Sequence, residues 1–320
     1  MNNLENFTGA CRRPILQVIG HAGIDYIIDV ENFGDEETST QIKSIRKYYG
    51  GTGMNVALSA AKVGLDVRFF CCKNSDFKFS EDFYNSVETI SGFHYEDYGE
   101  PEMPTCFIVN NNKGKQKAYI HDETLQHYNK IDFQPVYNGV DGVHLTTTPP
   151  KYTIQIAKDT QNNSNSFVSW SPGQNLSLWN EEELKEMLKY TNILFVNETE
   201  HRIFFNKIGL DEYKLSRALN NSHDQIVVKT QGKYGVQVYM PKYKDFFACR
   251  AVTVNAVDPT GCGDAFTGAF LAKIMQLQTI PNAVRFASSW ASYVAEKEGC
   301  QTNYPDVYDA EKRMRDCYGC

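Results

Sequence analysis

A regular alternation of strand-like and helix-like segments constrains the fold more than any other feature of this chain. From about residue 141 to residue 230, the segments DGVHLTT, SFVSW, ILFVN and QIVVKT resemble buried strands, and helix-like segments such as EEELKEMLKY and one that extends to about Leu219 separate them. A predicted hairpin of GVQVYM and DFFAC follows, and residues 14–30 resemble a strand, a turn at GHAGID and a second strand. Strands that alternate with helices of this length form βαβ units, whose parallel strands are covered by helices on both faces. The sequence therefore predicts an α/β fold, with three α/β/α layers around a doubly wound, mostly parallel sheet.

Two earlier β-rich segments do not fit this alternation. They cover about residues 31–50 and 101–123, and the second contains the hairpin pattern TCFIVN, NNKGK and QKAYIHD. We interpret both as strands of a small β-sheet lid over the carboxyl edge of the main sheet, where open α/β folds bind their ligands. No linker or repeat divides the chain, so residues 1–320 are expected to form one domain. A lid strand could pair with a second subunit, which predicts a homodimer.

Charge and hydropathy exclude several classes of protein. The net charge is -7 with a pI near 5.6, which disfavours nucleic acid or a membrane surface as a partner because both require clustered cations. The chain has no apolar run of roughly eighteen residues and no secretory signal. A cytoplasmic protein is predicted, with the terminal Cys317 and Cys320 as free thiols in a frayed tail.

The stretch DPTGCGD, from Asp258 to Asp264, precedes an apolar helical segment and carries the most informative pattern. Gly261 and Gly263 allow a sharp turn and close approach of a ligand to the backbone. The free N–H groups of the following helix's first turn would then form an anion site suited to a phosphoryl group. A carboxylate at Asp264 is suited to take a proton from an attacking hydroxyl. The alternative is a plain turn with a helix-opening acid.

A second glycine cluster, GGTGMNVA, begins at Gly50 and precedes a predicted helix. A dinucleotide-binding motif fits poorly, because Val56 occupies the position of its third glycine and no core strand precedes the cluster. We favour close backbone approach to a polyhydroxylated ligand, with Asn55 as donor and acceptor; glycines that only pack a helix are the alternative. Asp25, in GHAGID, is suited to bind two sugar hydroxyls or is a surface turn residue.

Two further motifs follow predicted strands at the same edge of the sheet. NETE contains Asn197 and Glu200, whose oxygens suit a Mg²⁺ ion that keeps most of its waters. The alternative is that these residues only begin a helix. TQGKYG contains Thr230, Gly232 and Gly235, and it forms either a glycine turn near triphosphate oxygens or a hairpin loop. No Walker A sequence or protein-kinase motif set is present.

Taken together and in this order, the motifs resemble those of the ribokinase-like, or PfkB, family of carbohydrate and nucleoside kinases. DPTGCGDAF is similar to the family's C-terminal signature and GGTGMNVALSAAKVG to its N-terminal one, and the resemblance covers nearly the whole chain. It implies a ribokinase-like fold with a β lid, and transfer of a phosphoryl group from ATP, with Mg²⁺, to a primary hydroxyl.

The resemblance also implies roles for individual residues. Asp264 would be the general base, and Gly261, Cys262 and Gly263 the amides of the anion hole. Asp25, Gly50, Gly51 and Asn55 would bind the acceptor, and Asn197 and Glu200 would organise the waters of Mg²⁺. Thr230, Gly232, Gly235 and Thr260 would lie at the nucleotide. Some family members bind a monovalent cation, such as K⁺, near the positions of Asp258 and Thr260, and the sequence leaves this open.

The acceptor is a small sugar or a nucleoside. DPTGCGDAF, SPGQNLSLW and ILFVNETE resemble the nucleoside-kinase-like members, which include adenosine kinases, more than the ribokinase or fructokinase branch. The segment KAYIHDETLQHY lacks the Pro-Gly-Ala pattern of the nucleoside branch, and its aromatic residues either stack on a base or only pack. A sugar kinase, a binding protein without turnover and a dinucleotide-dependent oxidoreductase are the alternatives.

Overall fold

A computed structural model describes residues 12–35, 37–93, 102–128, 139–211 and 225–319. Its strands, in chain order, are β1 (Ile15–Ile19), β2 (Gly23–Val30), β3 (Ile42–Gly50), β4 (Asp66–Cys72), β5 (Thr89–Phe93), β6 (Thr105–Asn111), β7 (Gln116–His121), β8 (Gly142–Thr146), β9 (Phe167–Ser171), β10 (Ile193–Asn197), β11 (Ile226–Thr230), β12 (Val236–Met240) and β13 (Asp245–Cys249). They form one sheet of nine strands and one of four.

The nine-stranded sheet is the predicted α/β core. Its order is β13-β12-β11-β10-β9-β8-β1-β4-β5, and every neighbouring pair from β11 to β5 is parallel. Only β12 and β13, the predicted hairpin, run antiparallel at one end. The carboxyl ends of the parallel strands therefore meet at one edge, which is where such sheets bind ligands.

Helices cover both faces of this sheet, as the alternation predicts. They are α1 (Thr52–Lys62), α2 (Glu81–Ser86), α3 (Thr124–Tyr128), α4 (Pro150–Asn163), α5 (Glu181–Leu188), α6 (Glu198–Ile208), α7 (Cys262–Met275), α8 (Ile280–Val294) and α9 (Val307–Tyr318). One buried apolar cluster joins α1, α7 and α8 to the sheet, and a second joins α4, α5 and α6 to it. The two clusters confirm the three-layer arrangement.

The four-stranded sheet is the lid, with the order β3-β2-β6-β7. Its central pair, β2 and β6, is parallel, whereas β3 and β7 are antiparallel edge strands. The sequence interpretation placed the first lid segment at about residues 31–50, but the described residues between 31 and 41 contain no strand and β2 joins the lid instead. Burial alternates along β2 from Gly23 to Ile27, which is typical of a strand with one covered face.

Some elements differ from the sequence interpretation. The edge strand β5 and the short helices α2 and α3 were not predicted, because segments this short carry little periodicity. Cys317 does not lie in a frayed tail: it belongs to α9, where its carbonyl oxygen accepts a hydrogen bond from Arg250 at 2.8 Å. Cys320 and the predicted helical segment near Leu219 lie outside the described residues. Within the described ranges, no helix has the length and apolarity needed to cross a bilayer.

Candidate active site

The turn before α7 has the geometry that the DPTGCGD pattern predicts. Gly261 lies in the left-handed region, with φ of 77°, and α7 begins at Cys262. A side chain at Gly261 would place its Cβ 2.6 Å from the Cβ of Cys300, closer than two carbons can approach. Both the backbone conformation and the close approach require glycine at this position.

Backbone amides at this turn are available to a ligand. Among the described residues, the structure gives no hydrogen-bond partner to the N–H groups of Gly261, Gly263 and Asp264. The Cys262 N–H differs from the sequence expectation, because it already donates to the Pro259 carbonyl at 3.2 Å. The free amides, at the positive end of the α7 dipole, form a site suited to an anion.

Asp264 lies beside these amides, and its environment favours proton uptake. Its carboxylate accepts a hydrogen bond from Asn55 Nδ2 at 2.9 Å. Burial, followed by the negative charges of Glu200 and Asp25, raises the pKa of Asp264 to about 7, although the bond from Asn55 opposes the rise. A carboxylate with a pKa near neutrality is suited to general-base catalysis.

Asp25 occupies the lid side of the same site. Its side chain is buried at 8% exposure, and burial raises its pKa to about 6, with the Cys300 thiol opposing and Asp258 adding to the rise. Gly50, which ends β3 and pairs with Gly23 of β2, leaves room for the carboxylate: a Cβ at Gly50 would lie 2.1 Å from Asp25 Oδ2. Glycine at this position is therefore a requirement of the Asp25 side chain.

Asp25 and Asp264 line one cavity of about 220 Å³ between the lid and the carboxyl edge of the main sheet. Gly51, Asn55, Thr260 and Gly261 line it too, so the structure brings together residues from both glycine motifs. The lid contributes apolar groups to the same cavity: Pro104, Ile108 and Ile120. The cavity thus combines two carboxyl groups with an apolar cover.

Asp258 and Thr260 shape the turn itself. Asp258 Oδ1 accepts the Thr260 N–H at 2.9 Å and the Thr260 hydroxyl at 2.6 Å, and Asp258 Oδ2 accepts the Gly299 N–H at 3.1 Å. Asp258 is buried, so these bonds compensate for the water that its carboxylate loses. They fix the turn that presents the free amides.

Asn197 and Glu200 begin α6 at the end of β10, with a reciprocal capping box. The Glu200 N–H donates to Asn197 Oδ1 at 2.8 Å, and the Asn197 N–H donates to Glu200 Oε2 at 2.9 Å. Burial raises the pKa of Glu200. No three His, Cys, Asp or Glu side chains of the described ranges form a direct metal-ligand group. Carboxylate and amide oxygens such as those of Glu200 and Asn197 are of the type that Mg²⁺ accepts, often through its waters.

The TQGKYG segment lies at the same sheet edge but outside the cavity lining. Thr230 ends β11 directly beside Asn197 in the parallel register of β10 and β11. Gly232 has φ of 53° with open space around it, whereas a Cβ at Gly235 would lie 2.0 Å from the Cys249 carbonyl oxygen. The segment closes the hairpin between β11 and β12, and its edge position leaves it accessible.

Sequence reasoning missed several residues that the cavity contains. His21 follows β1 and lines the cavity, and burial lowers the pKa of its ring. Its presence in GHAGID, at the end of a predicted strand, was an available signal. Cys300 and Gln301, in the loop after α8, bind Asp25 and Asn55; no local sequence pattern marks them.

Neither tyrosine of KAYIHDETLQHY lines the cavity. Tyr119 is 58% exposed, and its neighbour Ile120 on β7 lines the cavity instead. Tyr128 is buried in the core, where its hydroxyl donates to the Gly20 carbonyl at 3.1 Å. Of the two interpretations of this segment, the structure supports packing for Tyr128 only.

A lidded α/β core with free amides at a helix N-terminus is the kind of site that binds phosphorylated small molecules. Comparison with known proteins agrees: residues 15–307 match the family described as pfkB family carbohydrate kinase. The nucleoside kinase of Methanocaldococcus jannaschii is 32% identical over 292 residues, which cover 90% of this chain and 92% of that protein. The nucleoside kinase of Methanothermobacter thermautotrophicus is 30% identical over 308 residues, 95% and 96% of the two chains.

Solved structures agree with the fold. The crystal structure of the M. jannaschii nucleoside kinase, described as an archaeal member of the ribokinase family, superposes with a TM-score of 0.81 at 26% identity over 96% of this chain and all of that one. The Burkholderia thailandensis nucleoside kinase in complex with inosine has a TM-score of 0.81 at 20% identity, covering 96% and 98%. The chain belongs to the pfkB family of carbohydrate kinases, and it is an enzyme of the phosphotransferase class.

Proposed function

We propose that this enzyme transfers the γ-phosphoryl group of ATP to a primary hydroxyl of a nucleoside, with Asp264 as the general base. The observation that carries the proposal is one cavity that contains Asp264, beside free backbone amides, and Asp25 on the lid side. An acceptor held by Asp25 would present a hydroxyl between the base and the anion site. Phosphoryl transfer needs this kind of positioning and charge neutralisation more than covalent catalysis.

The chain's own residues would supply the following step. Asp264 accepts the proton of the acceptor hydroxyl as its oxygen forms a bond to the γ-phosphorus. The bond between that phosphorus and the β–γ bridging oxygen breaks, and ADP leaves with the bridging oxygen. The amides of Gly261, Gly263 and Asp264 donate to phosphoryl oxygens, where charge accumulates in the transition state. Cys262 contributes through the turn that orients these amides.

Asn197 and Glu200 would hold the waters of a Mg²⁺ ion, and Thr230, Gly232 and Gly235 would lie beside the nucleotide. The position of Glu200 supports this assignment, because its charge acts on the Asp264 carboxyl and therefore lies on the same side of the site. A bound Mg²⁺ ion would neutralise charge on the phosphate oxygens. Thr260, with Asp258, fixes the turn at the phosphate.

The lid favours a nucleoside as the acceptor. Ile108 and Ile120 face the cavity from β6 and β7, and Pro104 lies beside them. A free sugar offers hydroxyl groups to all sides, whereas a nucleoside adds a flat ring that benefits from an apolar cover. The two relatives described above, at 32% and 30% identity, are both nucleoside kinases, and the B. thailandensis enzyme of the same fold was solved with inosine.

A sugar kinase is the second candidate. The ribokinase of Haemophilus influenzae is 25% identical over 305 residues, 92% of this chain and 96% of that one. Asp25 and His21 supply polar groups for sugar hydroxyls in either case. The candidates differ in one testable respect, because a sugar kinase would act on ribose or fructose without an attached base.

A substrate panel tests the proposal. ADP production from Mg-ATP would be measured with purine and pyrimidine nucleosides, ribose, ribose 1-phosphate, fructose and fructose phosphates, each with and without K⁺. We expect turnover on one or more nucleosides and much weaker turnover on free sugars. Turnover on free sugars alone would establish the second candidate. Tight nucleoside binding by the folded protein without any ADP production would show a binding protein.

The pH dependence of kcat/KM should report the two carboxyls of the free enzyme. Asp264 acts as a base only when ionised, so kcat/KM should fall about tenfold per unit as the pH drops below its pKa of about 7. Below the Asp25 pKa of about 6 the slope should steepen, because a protonated Asp25 loses acceptor capacity. The Asp25→Asn variant should lose only the second step. A flat profile between pH 5 and pH 8 would contradict the assignment of Asp264.

A further inference from the structure

The loop after α8 connects the lid to the acidic residues of the site. Glu298 accepts hydrogen bonds from Arg46 and from the Tyr48 hydroxyl, both on the lid strand β3. The next three residues each donate to a different site group: the Gly299 N–H to Asp258, the Cys300 thiol to Asp25, and the Gln301 amide to Asn55. These bonds measure 3.1, 3.3 and 2.8 Å. The loop therefore contacts three side chains of the site: Asp258, Asp25 and Asn55.

Gln301 is linked to Asp264 through Asn55. Gln301 Nε2 donates to Asn55 Oδ1, and Asn55 Nδ2 donates to Asp264 Oδ2 at 2.9 Å. Asn55 is buried at 2% exposure, and its backbone is fixed, since its N–H donates to the Gly51 carbonyl and its carbonyl accepts the Tyr304 hydroxyl. The remaining freedom of Asn55 is rotation of its side-chain amide, and Gln301 determines which end of that amide faces Asp264.

The orientation matters because the two ends of an amide differ in what they bind. The amino group stabilises an ionised carboxylate, whereas the carbonyl oxygen repels it and can accept a hydrogen bond only from a protonated carboxyl. Gln301 Oε1 is buried and has no partner among the described residues. If both amides rotated by 180°, Asn55 Nδ2 would donate to this oxygen, and Asn55 Oδ1 would accept from protonated Asp264.

We propose that Gln301 is a positioning residue of the phosphoryl-transfer site, and that the Gln301–Asn55 amide pair has two orientations matched to the ionised and protonated forms of Asp264. In the observed orientation the Asn55 amino group faces Asp264 and stabilises its ionised form, which is the form that can act as a base. After proton uptake the reversed orientation stabilises the protonated form, and return to the first orientation favours proton release. The role in catalysis rests on the proposed function of Asp264, but the linkage of orientation to protonation does not.

Other titratable groups act on Asp264 from several elements, and the test must separate them from the amide pair. Their positions are β2, α6, the start of α7 and the segment after α8: Asp25, Glu200, Cys262, Cys300 and Tyr304. None of them is altered by a substitution at Gln301. Gln301→Met keeps the length of the side chain and removes its hydrogen bonds, so it tests the amide without adding a charge.

The carboxyl carbon of Asp264 gives a direct readout. It would be followed by ¹³C NMR in protein labelled at aspartate, with its signal assigned by its disappearance in Asp264→Asn. Gln301→Met should raise the titration midpoint by about one pH unit, since the Asn55 amide is released from the orientation that stabilises the carboxylate. Gln301→Glu should raise it further, because a carboxylate at this position accepts from Asn55 Nδ2 and turns Asn55 Oδ1 towards Asp264.

Activity supplies the second readout. In Gln301→Met, kcat at pH 6.5 should fall about sixfold more than kcat at pH 8.5, the ratio that a one-unit rise from a midpoint of about 7 produces, with little change in the KM for the acceptor. Gln276→Met is the matched control, because Gln276 Nε2 donates to the Val63 carbonyl at 3.2 Å, away from the carboxylates. This control should leave both the midpoint and the kcat ratio unchanged.

Failure of the amide-pair proposal and failure of the proposed function give different results. An Asp264 midpoint that stays unchanged in Gln301→Met and Gln301→Glu would overturn the proposal. If the wild-type enzyme phosphorylated no acceptor, the proposed function would fail, yet the carboxyl titration would still test the amide pair. Should a Gln301 variant not fold, a pH titration of the wild-type protein is sufficient. The side-chain ¹⁵N chemical shifts of Asn55 and Gln301 should change with the same midpoint as the Asp264 carboxyl carbon. Shifts that do not change at this midpoint would overturn the proposal.

Discussion

Replacing Asp264 with Asn is expected to lower kcat by about 10²- to 10⁴-fold, the usual contribution of a general base. Asparagine keeps the size of the side chain and can still accept the hydrogen bond from Asn55, so the site should retain its shape. It cannot take up the acceptor's proton. The KM for the acceptor should change little, because Asp25 makes the proposed acceptor contact. Steady-state ADP production with the preferred acceptor measures both constants.

The same substitution should stabilise the folded protein above pH 7. The folded pKa of about 7 exceeds the ordinary value of 3.8, so ionising Asp264 in the folded state costs about 2 to 4 kcal/mol, and asparagine removes that cost. The gain should be absent near pH 4, grow as the pH rises, and be complete above pH 7. Thermal unfolding at pH 4 and pH 8 measures it as a rise of several degrees at pH 8 only.

A helix-opening acid without a catalytic role would behave in the opposite way. Asp309, exposed in the first turn of α9, is the matched control. Asp309→Asn should lower stability slightly at pH 8, by about 0.3 to 1 kcal/mol, because a negative charge at a helix N-terminus is favourable. It should leave kcat unchanged. A loss of stability in Asp264→Asn similar to that in Asp309→Asn, with kcat retained, would show that Asp264 only begins the helix.

Gly50→Ala is the second substitution with a large expected effect. The new Cβ would lie 2.1 to 2.7 Å from the three atoms of the Asp25 carboxylate, so this side chain must move by about an ångström. A displacement of this size at a binding group can cost about 10²-fold, and we expect a loss of that order in kcat/KM, mainly through the KM for the acceptor. Acceptor titrations at saturating ATP measure the change.

The Asp25→Asn background tests the cause of this loss. If Gly50→Ala acts by displacing Asp25, the substitution should add little to the loss already present in Asp25→Asn, since contacting residues are not additive. Full additivity of the two losses would show that Gly50 acts on the site by another route. The fold should persist in both variants, because the displaced atoms are the far end of a side chain.

The main features of the fold could be predicted from sequence because its periodicity is strong. Buried strands between amphipathic helices predicted the layer arrangement. The segments of β12 and β13 were predicted as a hairpin, and the structure confirms it. The lid was harder: β2 continues almost directly from β1 and has a similar apolar composition, yet it leaves the main sheet and pairs with β3 and β6. Which strands pair depends on contacts between residues far apart in the sequence, so local composition does not predict it.

The residues of the candidate site also differ in whether the local sequence marks them. Asp264, Gly261 and Gly51 lie in motifs whose function depends on local backbone conformation, so the sequence marks them. Gln301 lies 246 residues from its partner Asn55, and only the packing of α8 against α7 brings its loop to the site. Side chains that act across elements carry no periodic or motif signal.

The central claim is that the enzyme phosphorylates a primary hydroxyl of a nucleoside. The most direct measurement is ³¹P NMR of the product formed from Mg-ATP and the preferred acceptor. A phosphate ester on a CH₂–O group couples to two equivalent or nearly equivalent protons, and one on a CH–O group couples to one. We predict the two-proton pattern with a nucleoside, and its absence with Asp264→Asn. A one-proton pattern, or ester formation at an undiminished rate with Asp264→Asn, would contradict the account.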